Sequence, residues 1–121
     1  MTSNSEIALV EKRTCCAPAA GIRISDAEAH EIATAFKAVG HPVRLQILDV
    51  LSRSEGQLCV CDVEACFSLS QPTISHHLRV LREAGLVGAE QRGLWAFYYV
   101  RRDNVEKLRT VLAGLRETSQ S

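Results

Sequence analysis

The chain has no stretch of about 18 consecutive apolar residues, so no membrane-spanning helix is expected. Its first 20 residues include Glu6, Glu11, Lys12 and Arg13 and no continuous apolar segment, which argues against a secretory leader. The formal net charge is zero, which excludes a strongly basic nucleic-acid coat. These absences predict a cytoplasmic protein. At 121 residues and 46% hydrophobic content, one folded domain is expected.

Disulfide pairing is disfavoured by the number of cysteines. There are five, an odd number, and no secretory segment accompanies them. Reduced thiols that serve metal or redox chemistry are the better interpretation in such a chain.

The segment from Leu69 to Val87 predicts a helix with one exposed polar face. Ser70 suits the N-cap, and Gly85 suits a left-handed C-terminal cap. Ile74, Leu78 and Leu81 form an apolar stripe at helical spacing. A solvated surface helix is one interpretation. A helix that enters the major groove of DNA is the other, with short polar groups near its N-terminus and an arginine further along.

A local excess of positive charge favours the DNA interpretation. From Ser70 to Arg102 there are five arginines and two glutamates, a balance of +3. The expected DNA-binding residues are Ser70, Gln71, Thr73, Ser75, His76, Arg79 and Arg92.

The chain divides into an arm and a domain. Residues 1–24 are predicted to be a flexible arm that carries Cys15-Cys16, and residues 25–118 a DNA-binding and dimerisation domain. A capping box at Ser25 opens the first helix, and Pro42 opens the second, whose inward residues are expected to be Leu45, Leu48 and Leu51. A third helix from about Asp62 to Phe67 and a short turn precede the polar-faced helix, as in a helix-turn-helix.

Two strands are predicted after this helix pair. They run over Leu86–Gln91 and Leu94–Val100, and Arg92-Gly93 joins them as a tight hairpin. A hairpin in this place is a wing, with Arg92 at its tip, near phosphates or the minor groove. A hairpin that merely covers the edge of the core is the alternative.

The last helix carries an apolar seam. Its partner is either the first helix of the same subunit or a second copy, and a dimer would set two reading helices about 34 Å apart. The predicted fold is therefore mainly α with a small β-hairpin: a homodimeric winged helix-turn-helix with five helices and a two-stranded wing. The predicted dimerisation residues are Val105, Leu108, Leu112 and Leu115.

The chain resembles the ArsR/SmtB family of metal-sensing bacterial repressors. The resemblance spans roughly Ser25 to Leu115. It implies a repressor, not an enzyme, that binds double-stranded operator DNA until a toxic ion releases it. It is carried by Phe36-Lys-Ala-Val-Gly-His-Pro-Val-Arg-Leu-Gln-Ile-Leu48, Leu58-Cys-Val-Cys-Asp62, Leu69-Ser-Gln-Pro-Thr-Ile-Ser-His-His-Leu78, Leu86-Val87 and Arg92-Gly…Tyr98-Tyr99.

The resemblance implies that Cys59 and Cys61 bind the ion. Some arsenical repressors have a third cysteine three residues further on, where this chain has Glu64. Two cysteines at this spacing diverge on a helix, so they chelate one ion only where the chain is not helical. Cys66, inside the predicted third helix, is expected to be a buried core thiol.

The third ligand is expected from the Cys15-Cys16 pair. Other arsenical sensors that this chain resembles combine such an N-terminal pair with a cysteine of the other subunit. The hypothesis is a site for As(III) or Sb(III), with Cd(II) or Pb(II) as alternatives, because thiolates select soft ions. The family's zinc site on the last helix is not expected, because no histidine follows Asp103.

Two other functions remain open at this point. A repressor of the same fold would sense oxidants if its cysteines formed a disulfide or persulfide. A soluble metal carrier is a remote alternative, which would need neither the polar helix face nor the wing.

Overall fold

The computed structural model describes residues 21–54 and 57–115. In this part of the chain no helix is long and apolar enough to cross a membrane. Five helices and three strands follow one another as α1 (Asp26–Val39), α2 (Pro42–Arg53), β1 (Leu58–Cys59), α3 (Val60–Glu64), α4 (Gln71–Glu83), β2 (Val87–Arg92), β3 (Trp95–Val100) and α5 (Arg102–Gly114).

Side chains of the preceding residues fix where the first two helices begin. Ser25 Oγ accepts the Glu28 N–H at 3.1 Å, and the Glu28 carboxylate accepts the Ser25 N–H at 3.2 Å, which is the predicted capping box. His41 caps α2, because its Nδ1 accepts the Val43 N–H at 3.1 Å. Both helices therefore begin where their free N–H groups find acceptors.

The core lies beneath α4. Apolar side chains of α2, α3 and α4 and of the turn after α4 meet there, so one face of α4 is fixed and the other is left outside. The largest fully buried side chains are Ile47, Leu51, Val63, Ile74, Leu78, Leu81 and Leu86.

A left-handed glycine ends α4, as the sequence predicts. Gly85 has φ 81°, and its N–H donates to the Arg82 carbonyl at 2.9 Å. The Leu86 N–H donates to the Leu81 carbonyl at 3.0 Å. These two bonds form a Schellman motif, which turns the chain directly from α4 into β2.

The hairpin belongs to a sheet of three strands in the order β1-β3-β2. The sequence predicted two strands and missed β1, which pairs with β3 through Leu58 opposite Tyr98 and Cys59 opposite Phe97. The hairpin turn is also one residue later than predicted. Arg92 pairs with Trp95, so Gly93 and Leu94 form the turn, and Gly93 provides its positive φ of 63°.

Two further predictions about local structure are wrong. The third helix is Val60–Glu64 and not Asp62–Phe67, because it begins where the Asp62 carboxylate accepts the Cys59 N–H at 3.2 Å. Leu45 is 57% exposed and does not point inward as expected, because Ile47 and Leu51 supply the buried face of α2.

Candidate functional site

The outer face of α4 presents a row of polar side chains. Ser70 Oγ accepts the Thr73 N–H at 3.4 Å and lies 3.0 Å from Thr73 Oγ1, which fixes both hydroxyls at the start of the helix. Most of the predicted DNA-binding side chains of this helix are exposed, and Ser75 is partly buried. The exposed members are Ser70, Gln71, Thr73, His76 and Arg79.

His76 and Arg79 form a pair one turn apart on this face. The Arg79 Nη2 lies 3.2 Å from His76 Nδ1. A guanidinium only donates hydrogen bonds, so Nδ1 must be the acceptor, and a neutral His76 then carries its proton on Nε2. The outward edge of the ring is therefore a donor, which suits acceptors such as the N7 and O6 of guanine.

The neighbouring histidine points the other way. His77 is 8% exposed, and within the described residues its Nδ1 has no hydrogen-bond partner. Its ring lies 4.5 Å from the ring of His41, measured between centroids. Burial lowers the pKa of His77, and the nearby His41, Arg44 and His76 lower it further. The contact of His77 with the residue that caps α2 joins two parts of the chain that are distant in sequence.

The wing arginine is held against the wing itself. The guanidinium of Arg92 lies 4.8 Å from the centre of the Phe97 ring, and it donates to the side-chain oxygen of Gln57. Glu90 Oε1 is 3.5 Å from Arg92 Nη2, yet the Arg92 side chain remains 52% exposed. Arg92 is therefore positioned at the wing while still accessible to a phosphate.

The two cysteines of the Leu-Cys-Val-Cys-Asp motif meet where a strand becomes a helix. Cys59 is the last residue of β1 and is 8% exposed, whereas Cys61 lies in the first turn of α3 and is exposed. Their Sγ atoms are 2.6 Å apart and both thiols are free. The change of backbone conformation between them brings together two side chains that a continuous helix would separate.

Asp62 completes this cluster, and the sequence analysis did not single it out. Its Oδ2 accepts the Cys59 N–H and the Cys59 thiol, each at 3.2 Å. The possible ligand atoms of Cys59, Cys61 and Asp62 all lie within 4.8 Å of one another. Its signal in the sequence is an acidic residue three positions after Cys59, as in a capping box.

Protonation of Cys61 is favoured in this cluster. Its hydrogen bond with Cys59 is the main cause that raises the pKa of the Cys61 thiol, and burial and the neighbouring Cys59 and Asp62 add to the effect.

Cys66 is not a member of this cluster. The prediction that Cys66 is a buried core thiol is wrong, because α3 ends at Glu64 and leaves Cys66 exposed in the following turn. Its Sγ lies 3.6 Å from the Asp62 carbonyl oxygen. Cys15 and Cys16 lie outside the described residues.

The thiol cluster and the wing share one sheet. Cys59 lies opposite Phe97, whose ring carries the Arg92 guanidinium. Two residues before Cys59, the Gln57 amide donates to Glu90 Oε1 at 3.2 Å and accepts from Arg92. Cys59 is therefore paired with β3, and Gln57, two residues earlier, contacts residues near the wing tip.

The apolar seam of α5 has a buried half and an exposed half. Leu108 is 8% exposed and packs in the core of its own subunit, and Val105 is partly buried against that core. Leu112 and Leu115 are 58% and 73% exposed. Leu112 also lines an open, mainly apolar groove of about 680 Å³ between α2 and α5, together with Leu45.

Comparisons with known proteins agree with this architecture. A family described as "Bacterial regulatory protein, arsR family" matches residues 41–88, from the cap of α2 into β2. An uncharacterised HTH-type transcriptional regulator of Methanocaldococcus jannaschii is 47% identical over 73 residues, which are 60% of this chain and 81% of that protein. The arsenical resistance operon repressor of Bacillus subtilis is 36% identical over 73 residues, 60% of this chain and 69% of that repressor.

A solved structure shares the fold. It is the homodimeric winged helix-turn-helix DNA-binding domain from Mycobacterium bovis, with a TM-score of 0.62 and 27% identity over 80% of this chain and 95% of that chain. The sequence relatives, the matched segment and the described fold lead to the same conclusion. The chain belongs to the ArsR/SmtB family and is a DNA-binding transcriptional repressor with a winged helix-turn-helix fold.

Proposed function

We propose that this repressor binds its operator as a homodimer and releases it when its cysteines bind a thiophilic ion. As(III) is the first candidate for this ion, and Sb(III), Cd(II) and Pb(II) are the alternatives. The observation that carries the proposal is the pair of free Cys59 and Cys61 sulfurs, side by side at the end of a strand of the wing sheet. The relative from Bacillus subtilis, named as an arsenical resistance repressor, supports the choice of ion.

The ligand set consists of thiolates. As(III) takes three sulfur ligands, and the cluster of Cys59, Cys61 and Asp62 offers two. A carboxylate oxygen is a hard donor that suits soft ions poorly, so Asp62 serves to hold Cys59 in place. The third sulfur comes from Cys15 or Cys16, within one subunit or across the dimer.

Ion capture acts on the DNA-binding surface through β1. To bind an ion, the Cys59 thiol must break its hydrogen bond with the Asp62 carboxylate. The same carboxylate accepts the Cys59 N–H at the start of α3. An ion shifts the equilibrium only if it binds the DNA-free form more tightly. A coupling of about 1–3 kcal/mol lowers DNA affinity by about 5–150-fold.

The DNA contacts divide by role. Arg79 and Arg92 bind phosphates, so their loss weakens binding to any sequence and lowers its salt dependence. Gln71, Thr73 and His76 face base edges, so their loss changes sequence preference, with Ser70 and Ser75 as flanking donors. The homodimeric relative from Mycobacterium bovis supports a two-fold arrangement on DNA.

Release of DNA by arsenite tests the thiol assignment. A fluorescent duplex, selected from a random pool by the reduced wild-type protein, is titrated with arsenite and followed by anisotropy. Cys59→Ser, Cys61→Ser and the double variant Cys15→Ser/Cys16→Ser should each bind the duplex yet lose most of the response. Cys66→Ser is the matched control, because Cys66 is an exposed thiol outside the cluster, and it should respond like the wild type. A full response in the Cys59 or Cys61 variant contradicts the proposal.

Parallel titrations separate the ions and the redox alternative. Sb(III), Cd(II), Pb(II) and a mild oxidant replace arsenite, each with and without a thiol reductant. Arsenous acid is uncharged and condenses with thiols to release water, whereas Cd(II) must displace thiol protons. A response to As(III) should therefore vary little between about pH 6 and pH 8, where protein thiols commonly change protonation. A response to Cd(II) should weaken at the lower pH. Release by the oxidant alone would establish the redox sensor instead.

A further inference from the structure

The tip of the hairpin carries two adjacent exposed apolar side chains. Leu94, in the turn, is 92% exposed, and Trp95, the first residue of β3, is 56% exposed. Scattered apolar side chains on a surface are ordinary, but two-residue turns usually contain Gly, Asn or Asp. Gly93 already supplies the positive φ that the turn requires. The fold therefore gives no reason for leucine and tryptophan at this tip.

The hairpin holds this tip firmly. Every residue of β2 is paired with β3, from Val87 opposite Val100 to Arg92 opposite Trp95. Arg92 is further fixed over the Phe97 ring and by Gln57. A side chain presented by a fully paired hairpin loses little conformational freedom when it binds a partner.

We propose that Leu94 and Trp95 form an apolar wedge that enters the minor groove of duplex DNA and partly separates one base step. Leucine inserted between base pairs is an established device of minor-groove proteins, which bend the duplex toward the major groove. The tip continues a surface that reads DNA, since it belongs to the wing that follows α4 in a helix-turn-helix repressor. The inference needs only DNA binding and not the response to an ion.

Charge on the wing and over the segment that contains it favours DNA over a protein partner. The guanidinium of Arg92 lies next to the turn, half exposed. Between Ser70 and Arg102, arginines outnumber acidic residues by five to two. A phosphate can still reach the exposed part of the Arg92 guanidinium, whereas an apolar protein surface offers it no opposite charge.

A wedge also adds to sequence selectivity. Pyrimidine–purine steps such as TA and CA are the easiest to unstack, so an inserted side chain prefers them without any hydrogen bond to a base. In a two-fold complex, one flexible step should recur on each side of the centre, outside the segments read by α4.

Trp95 provides the direct test, because it is the only tryptophan of the chain. The reduced full-length protein is titrated with duplexes of about 30 base pairs, selected from a random pool by the wild type. The Trp95 emission should shift or be quenched as the complex forms. 2-Aminopurine placed in turn at each step of the duplex should brighten at one step in each half-site.

Substitution of the turn residue separates the wedge from an unused loop. Leu94→Ser should lower affinity roughly tenfold, abolish the 2-aminopurine signal and leave the salt dependence unchanged, whereas Leu94→Met should keep all three close to wild type. Ile22→Ser is the matched control, since Ile22 is also 92% exposed but lies outside the wing. Circular dichroism of each variant checks folding.

Two results would overturn the inference. One is a saturated wild-type complex with unchanged Trp95 emission and no bright step. The other is a Trp95 signal that changes with protein concentration in the absence of DNA, which would assign the tip to contact with a second copy. In neither case would the arsenite response of the cysteine variants be affected, so the two proposals fail separately.

Discussion

At the scale of single residues, His77 connects α4 to the rest of the core. It is on α4 next to an outward-facing histidine, yet its ring is buried against the ring of His41, the residue that caps α2. His41 caps that helix through an unprotonated Nδ1. Positive charge on the His77 ring therefore disturbs the contact between α2 and α4.

This contact predicts a dependence of stability on pH. The ordinary pKa of histidine is 6.5, and that of His77 is lowered in the folded protein, mainly by burial. Between those two pKa values the unfolded chain binds more protons than the native one, so the free energy of unfolding decreases as the pH falls below 6.5. Urea denaturation at a series of pH values should show this slope, and His77→Leu should reduce it.

His30→Gln is the control for that series, because His30 is exposed on α1. It should keep the wild-type slope. An equal slope in the His77→Leu protein would show that His77 is not the source of the effect.

Residues that act on their own neighbours in sequence were predictable. Ser25, Ser70 and Gly85 satisfy backbone groups within three or four positions, and each does so as predicted. Cys66 and Leu45 were misjudged because their burial depends on where α3 ends and on which other side chains fill the core. Those conditions are set by contacts between distant parts of the chain.

At the scale of elements, the end of α4 both stops the helix and contacts α5. The left-handed Gly85 closes the helix, and its carbonyl accepts a hydrogen bond from Asn104 Nδ2 at 2.6 Å. Asn104 belongs to α5, so Gly85 both ends α4 and joins it to the last helix.

Substitution of Gly85 by alanine should therefore destabilise the protein by about 1–2 kcal/mol, the cost of a left-handed conformation for a residue with a Cβ atom. The added Cβ would also lie 3.3 Å from Asn104 Nδ2. Chemical denaturation measures the loss. Gly114→Ala is the matched control, because its Cβ would meet nothing within 4 Å and φ is not positive there; it should lose no stability. Equal stability of both variants would contradict this account of the cap.

Elements with a clear period were predictable, and the shortest one was not. The helices α1, α2, α4 and α5 repeat apolar residues over several turns, which fixed their places to within a residue or two. The strand β1 has two residues and shows no alternation, and it is defined by its pairing with β3, about forty positions further on in the sequence. The proposed coupling between the thiols and the wing depends on that pairing, so it could not be predicted from the sequence.

At the scale of the whole molecule, the exposed end of α5 and the apolar groove beside it are the surface that the proposed dimer would cover. Leu112 and Leu45 line this groove and are both more than half exposed. An apolar groove of this kind in an isolated subunit is a usual mark of an interaction surface.

Leu112→Asp should convert the protein to a monomer, because it places a charge in an apolar contact without disturbing the core of the subunit. Sedimentation measures the mass. Affinity for a two-fold duplex should fall by about 10²–10⁴-fold, since the two half-sites are no longer bound as one unit. Gln46→Asp, on the exposed side of α2, adds the same charge and should remain dimeric. A dimeric Leu112→Asp protein would exclude this surface.

The family was accessible from sequence because it depends on residue types in order along the chain. A third sulfur ligand and a pairing of subunits stay predictions, because spacing within one chain does not determine which distant cysteine or second copy meets a site. Cys15 and Cys16 therefore remain a prediction for the mutants to test.

The pairing of Cys59 with a wing strand has a consequence for the arsenic concentration at which a cell would respond. Thermodynamic linkage is reciprocal. If bound arsenic lowers the affinity of the repressor for a promoter, then binding to the promoter lowers its affinity for arsenic by the same factor. Repressor molecules that are not bound to DNA would bind arsenic first and would buffer its free concentration. The threshold for switching on the genes would then rise with the number of spare repressor molecules, so the abundance of the protein, as well as its chemistry, would tune the response.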